Sequence, residues 1–138
     1  MNNNLKLHVY IQAREGSERL PSKILKKICN KSILELILER VKEIKTVEKI
    51  ILITGSEGKN TNLINEAKRL DLEYFCGNDN NVIDRFYNAS KLFGSKNIIR
   101  ITGDCPLIDF NIVNKGVEIF ERNEKQIVSI NRIRTFPD

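Results

Sequence analysis

Four short runs rich in aliphatic or aromatic residues recur along the chain at 7–11, 49–54, 72–76 and 97–102, with polar or helix-period sequence between each and the next. Runs this short that are nearly continuous in apolar residues, as in Ile50-Ile51-Leu52-Ile53, suit strands buried on both faces of a parallel sheet. Parallel neighbours need a crossover between them, and the intervening segments have the right period. Leu34, Ile37, Leu38, Val41 and Ile44 form one stripe over 33–44, while Leu63, Ile64, Ala67 and Leu70 form another over 61–70. Val82, Ile83, Phe86, Ala89, Leu92 and Phe93 form a third over 82–93, and 112–120 begins a last helix. A fifth strand is expected over 126–130. The alternation predicts an α/β fold, a doubly wound and mostly parallel sheet with right-handed crossovers, as a single domain over 1–138.

In such sheets ligands bind outside the carboxyl ends of the strands. The loop after the first strand, Ala13-Arg14-Glu15-Gly16-Ser17-Glu18-Arg19-Leu20-Pro21-Ser22-Lys23, falls there, with Arg14, Arg19 and Lys23 around a bend at Gly16 and Ser17. Gly16 admits backbone conformations closed to other residues, and Pro21 fixes the exit direction. Arginine forks and a lysine point charge suit one polyphosphate. In a chain with 23 Lys and Arg, a solvated basic loop is the competing reading. The same rule brings Thr54, the loop at Gly77 and the carboxylate of Asp104 to this edge.

A net charge of +5 allows an anionic ligand, but 18 Asp and Glu are interleaved with the basic residues and no basic block or aromatic–cation interleaving marks a nucleic-acid surface. Three widely spaced cysteines without a Cys-x-x-Cys pair disfavour both a disulfide framework and a zinc site, which points to a reducing cytoplasm. No apolar run approaches the ~20 residues that span a bilayer. Gly55-Ser56-Glu57-Gly58-Lys59-Asn60 fails as a Walker A loop, having too few residues between its glycines and Asn after Lys; Asn60 is expected to cap the following helix. The single histidine, His8, lies mid-strand and reads as structural. Asp84 complements the dipole of the helix it opens, whereas Arg85 opposes it and suggests a ligand. Asp109 suits capping or a water-mediated role equally, and Cys105 reads as a small buried filler.

Three ordered segments, IQAREGSERLPSKIL, NVIDRFYNAS and NIIRITGDCPLID, resemble the cytidylyltransferase family that includes the acylneuraminate and deoxyoctulosonate enzymes, most closely its spore coat polysaccharide biosynthesis branch. The resemblance implies a nucleotide-diphospho-sugar transferase-like, Rossmann-like topology, and transfer of CMP from CTP to a sugar or sugar-acid acceptor with release of pyrophosphate. It implies that Arg14 and Lys23 bind the nucleotide phosphates, joined in the nucleotide site by Arg19. Ala13, Gly16 and Ser17 would shape the backbone around the nucleotide, Arg85 would lie near the base or sugar, and Asp104 would ligate Mg²⁺. Ser22 stands where many members have Gly, and Glu18 where Thr or Ser is usual. Members usually continue past the position of Asp138 with strands that supply another metal-binding carboxylate, acceptor-reading residues and a dimerisation element. The chain is therefore expected to be C-terminally incomplete, with the fifth strand as an open edge and a homodimer in the fuller protein. A sugar-nucleotide-dependent glycosyltransferase and a non-catalytic nucleotide-binding module are the alternatives; the absence of Asp-x-Asp weighs against the former.

Overall fold

The computed structural model describes residues 6–17, 19–123 and 127–129. Strands β1 (Leu7–Gln12), β4 (Val47–Thr54), β5 (Glu73–Cys76) and β6 (Asn97–Thr102) form one sheet in the order β5-β4-β1-β6. Every pairing in it is parallel. A short hairpin of β2 (Lys27–Ile28) and β3 (Lys31–Ser32) stands apart, its turn made by Cys29 and Asn30 at φ 49 and 67. Two successive positive φ values are the signature of a type I′ turn.

Helices lie on both faces. Val9 and Ile11 of β1 point into a core with α1 (Ile33–Val41) and α2 (Thr61–Arg69), where Leu34, Ile37, Leu38, Val41, Leu63 and Ala67 are buried. Tyr10, Ile51 and Ile53 point the other way, against Ala89, Phe86 and Phe93 of α3 (Val82–Phe93). Phe110 and Val113 of α4 (Phe110–Asn123) pack on the first core. The chain thus changes sheet face between β5 and β6, and it is there that strand order reverses: β6 returns beside β1. The reversal opens a crevice between the loops that follow β1 and β6.

Local chemistry explains the ends of these helices. Ser32 begins α1, its Oγ accepting from the Glu35 amide at 3.1 Å, and Asn81 begins α3 by accepting from the Asp84 amide at 3.0 Å. Gly94 closes α3 in the left-handed region at φ 64, and the Ser95 amide then reaches back to the Ser90 carbonyl at 2.8 Å. That turn delivers the Ser95 hydroxyl to the underside of β1, 2.6 Å from both His8 Nδ1 and Tyr10 Oη. His8 is buried and structural, as expected.

Three expectations change. The apolar stripe of α3 is narrower than its sequence suggests, since Ile83 is 83% exposed and Leu92 67%; only the 86/89/93 face meets the sheet. Residues 127–129 lie in no regular element, and the rest of the expected fifth strand is outside the described residues. Cys105 is exposed, not buried. Among the described residues no helix is long and apolar enough to cross a membrane.

Candidate active site

Parallel pairing runs one residue past the strand ends and carries the loops with it. The Ala13 amide donates to the Ile53 carbonyl at 3.1 Å, the Gly77 amide to Thr54 at 3.1 Å, and the Gly103 amide to Gln12 at 2.8 Å. At Gly103 the loops of β1 and β6 are so close that an added Cβ would stand 2.8 Å from Ala13 Cβ and 3.2 Å from the Gln12 carbonyl oxygen. Above this floor lies a cleft of about 640 Å³. Ala13, Arg14, Ser17, Arg19 and Lys23 line one wall, Asp79, Asn80, Val82 and Arg85 another, and Thr102, Gly103 and Asp104 the third.

The residues singled out from sequence therefore converge, Gly16 excepted from the lining, but they are differently employed. Arg14 and Arg19 are exposed and make no hydrogen bond or ion pair with any described residue. Lys23 opens a single 3₁₀ turn over Lys23–Leu25 and places its Nζ 3.5 Å from Asp104 Oδ2. Asp104 is held below the usual carboxylate range, chiefly by the Thr102 hydroxyl, with Lys23, its own amide and the Cys105 thiol helping. Ala13 is buried against Gly103, and Ser17 turns the chain by donating its amide to the Glu15 carbonyl at 2.8 Å. Gly16 departs from its expected part: its φ is not in the left-handed region, and a Cβ there would meet nothing within 4 Å. The strained position is Ser22, at φ 51 and ψ 30, a conformation that glycine adopts without penalty.

Arg85 is 3% exposed, and its guanidinium is committed to backbone: Nε donates to the Asn78 carbonyl at 3.1 Å and Nη2 to the Asp79 carbonyl at 3.3 Å. Burial pulls its pKa down despite the nearby Asp79 carboxylate. It lines the cleft while bracing the loop that forms the second wall. Asp109, one of whose readings was capping, accepts from the Asn111 amide at 2.8 Å at the start of α4.

Several residues that organise the site escaped sequence reasoning. Asp79 Oδ1 accepts from the Ser56 amide at 2.8 Å and Oδ2 from the Ser56 hydroxyl at 2.8 Å, while Lys59 Nζ lies 3.0 Å away, so the loops after β4 and β5 are clasped together. Lys59 is thereby turned to a structural partner, in keeping with the rejected Walker reading. Asn60 precedes α2 as expected but caps nothing with its side chain; its Oδ1 accepts from the Glu15 amide at 3.0 Å and its Nδ2 donates to the Ser56 carbonyl at 2.9 Å. No sequence signal announces these contacts beyond the polar character of the loops.

Asp104 offers hard oxygen donors beside the cations, and no cluster of three His, Cys, Asp or Glu able to hold a metal occurs among the described residues. One carboxylate completed by water and substrate phosphate oxygens is the donor set that suits Mg²⁺.

Comparison with known proteins bears on this geometry. A family model described as cytidylyltransferase matches residues 9–135. Spore coat polysaccharide biosynthesis protein SpsF of Bacillus subtilis is 34% identical over 78% of this chain and 47% of its own length. A solved cytidylyltransferase from Leptospira borgpetersenii superposes with a TM-score of 0.83 at 37% identity, over 90% of this chain and 52% of that one. CMP:2-keto-3-deoxy-manno-octonic acid synthetase, solved with CTP, shares the fold with a TM-score of 0.78 at 20% identity, over 87% of this chain and 49% of that one. The chain spans about half the length of the curated relatives it matches.

Proposed function

The chain belongs to the cytidylyltransferase family, and from that premise we propose that its cleft binds CTP and serves transfer of CMP to a sugar or sugar acid for surface polysaccharide synthesis. The carrying observation is that Arg14 and Arg19 face the cleft without partners among the described residues, opposite an ionised Asp104 already paired with Lys23. Unpaired guanidinium groups beside a lysine make a receptor for a polyphosphate, whose oxygens accept forked hydrogen bonds. In the reaction an acceptor hydroxyl oxygen attacks the α-phosphorus and gives up its proton to solvent, the bond from that phosphorus to the β-bridging oxygen breaks, and pyrophosphate departs carrying the electron pair. Arg14, Arg19 and Lys23 hold the departing oxygens and offset their growing charge; positioning and charge neutralisation supply most of the acceleration in such transfers. Bound Mg²⁺, held by Asp104, would add further neutralisation at the phosphates. The Thr102 hydroxyl above all, with Lys23 3.5 Å away, favours the ionised form of Asp104 before the nucleotide arrives.

The test is a thermal-stabilisation series with CTP, UTP, ATP, GTP and dTTP, with and without Mg²⁺, on the wild type and on Asp104→Ala. Ligand at a hundredfold over its Kd adds about 2.7 kcal/mol. Selective stabilisation by CTP that needs Mg²⁺ and weakens in the variant is expected. Equal response to every nucleotide, or to none, would overturn the reading.

A further inference from the structure

We infer that Glu15 is a positioning residue of the nucleotide site, one that acts by docking the Arg14 loop onto the N-terminus of α2; this deepens the CTP reading above and rests on it. Glu15 Oε1 accepts from the Leu63 amide at 2.9 Å, and Oε2 from Asn62 Nδ2 at 3.1 Å. Leu63 is the third residue of α2, so the carboxylate of a distant loop does what a cap residue ordinarily does for its own helix. Asn60, released from that duty, turns its Oδ1 to the Glu15 amide at 3.0 Å. The two residues have exchanged tasks across 45 positions of sequence.

The exchange fixes residue 15 from every side. Its amide is held by Asn60, its carboxylate by α2, and its carbonyl accepts from the Ser17 amide at 2.8 Å and the Ser22 amide at 2.9 Å. Those last contacts close the loop between Arg14 and Lys23, so the spacing of the cations depends on where Glu15 sits. The dock also disposes of a charge. A carboxylate next to Arg14 and close to Arg19 would pair with either if left free, and would compete with phosphate for both. On α2 it is taken up by amide donors at the positive end of a helix, where an anion is favoured. Arg14 and Arg19 consequently stay unpaired among the described residues.

The experiment measures CTP binding in Mg²⁺ by titration calorimetry, together with amide hydrogen exchange in the free protein, for the wild type, Glu15→Ala, Glu15→Gln and Arg14→Ala, and for Glu15→Ala combined with Arg14→Ala. Glu15→Ala is expected to raise the Kd for CTP roughly tenfold, the weight of one charge-assisted contact. It should speed exchange at Ser17, Ser22 and Leu63 while leaving the β4 amides of Ile51 and Leu52 protected, which separates loop release from unfolding. Glu15→Gln, which keeps an acceptor for Leu63, should retain most of the affinity. On the Arg14→Ala background, Glu15→Ala should cost little more, because Glu15 works through the cation beside it. An unchanged Kd in Glu15→Ala, or full additivity with Arg14→Ala, sinks this inference alone. A wild-type chain that binds no CTP sinks both it and the reading on which it rests.

Discussion

At the N-terminal end of β1, Lys6 lies 3.2 Å from Glu48 and His8 3.6 Å from the same carboxylate, while Ser95 closes on His8 and Tyr10. At the other end of the same strand Arg14 is exposed and unpaired among the described residues, with Arg19 and Lys23 close behind it. Charges are paired at one end of the strand, whereas at the other only Lys23 is paired and the two arginines are left without partners among the described residues. The Ser95 hydroxyl is shared between Tyr10 Oη and His8 Nδ1, and the other ring nitrogen of His8 faces Glu48, so these groups are partnered within the chain. The cationic end is incomplete by the same accounting. The difference teaches that unmet hydrogen-bonding capacity, more than charge density, distinguishes the edge of the sheet proposed to bind nucleotide.

That contrast is broken most forcibly by crossing one substitution at each end. Arg14→Ala is expected to weaken CTP binding roughly 10- to 100-fold with stability altered by less than about 0.5 kcal/mol. Ser95→Ala should do the reverse, leaving CTP affinity intact and costing roughly 1–3 kcal/mol by stranding His8 Nδ1 and Tyr10 Oη. Calorimetric titration and urea unfolding of both variants decide the matter; a stability loss in Arg14→Ala equal to that of Ser95→Ala would erase the distinction. Within the cationic loop, Ser22→Gly should stabilise the chain by about 0.5–1 kcal/mol, since glycine relieves the left-handed strain at φ 51 but gives back part of the gain through a freer unfolded chain. A lower urea midpoint in that variant would mean that the Ser22 side chain contributes more than its strain costs.

The smallest effect concerns acid. Asp79 is brought down to about 2 from a reference of 3.8 by the Ser56 amide, then Lys59 and the Ser56 hydroxyl. The native state favours the ionised form, so this contribution is complete above 3.8 and drains away as pH falls towards 2. Asp79→Asn should therefore flatten the acid limb of the stability profile over that interval. Glu66, also near 2 and held there mainly by Arg69, titrates in the same window, so the difference between the variant and wild-type profiles is the quantity to read. Superimposable acid limbs would show that the clasp between the loops after β4 and β5 carries no net stability.

The sheet was legible because its strands are short apolar runs, fully buried over 7–11 and at the end of β4, and each helix α1 to α3 keeps its 3.6-residue period. The cations of the Arg14 loop and Asp104 were legible too, since the strand-end rule needs only the order of elements. What stayed hidden is what depends on neighbours distant in sequence. The β2–β3 hairpin is too short for any period to register. Asn60 has the chemistry of a cap, and only the fold reveals that Glu15 has taken its place. Gly16 invites a conformational argument that the chain does not use, while Ser22, an unremarkable residue by type, bears the unusual backbone. Arg85 lines the cleft, and its hold on the carbonyls of Asn78 and Asp79 could not be read from a helix pattern.

The three walls of the cleft come from loops separated by whole strand–helix units, and their floor is sealed only when Gly103 closes on Ala13. The first two walls are tied to each other through Glu15, Asn60, Ser56 and Asp79, but until β6 docks beside β1 the cations and Asp104 belong to separate pieces. If the cleft takes a nucleotide as proposed, a ligand that spans the cations and Asp104 joins β6 to the rest of the sheet and so favours the finished topology by mass action.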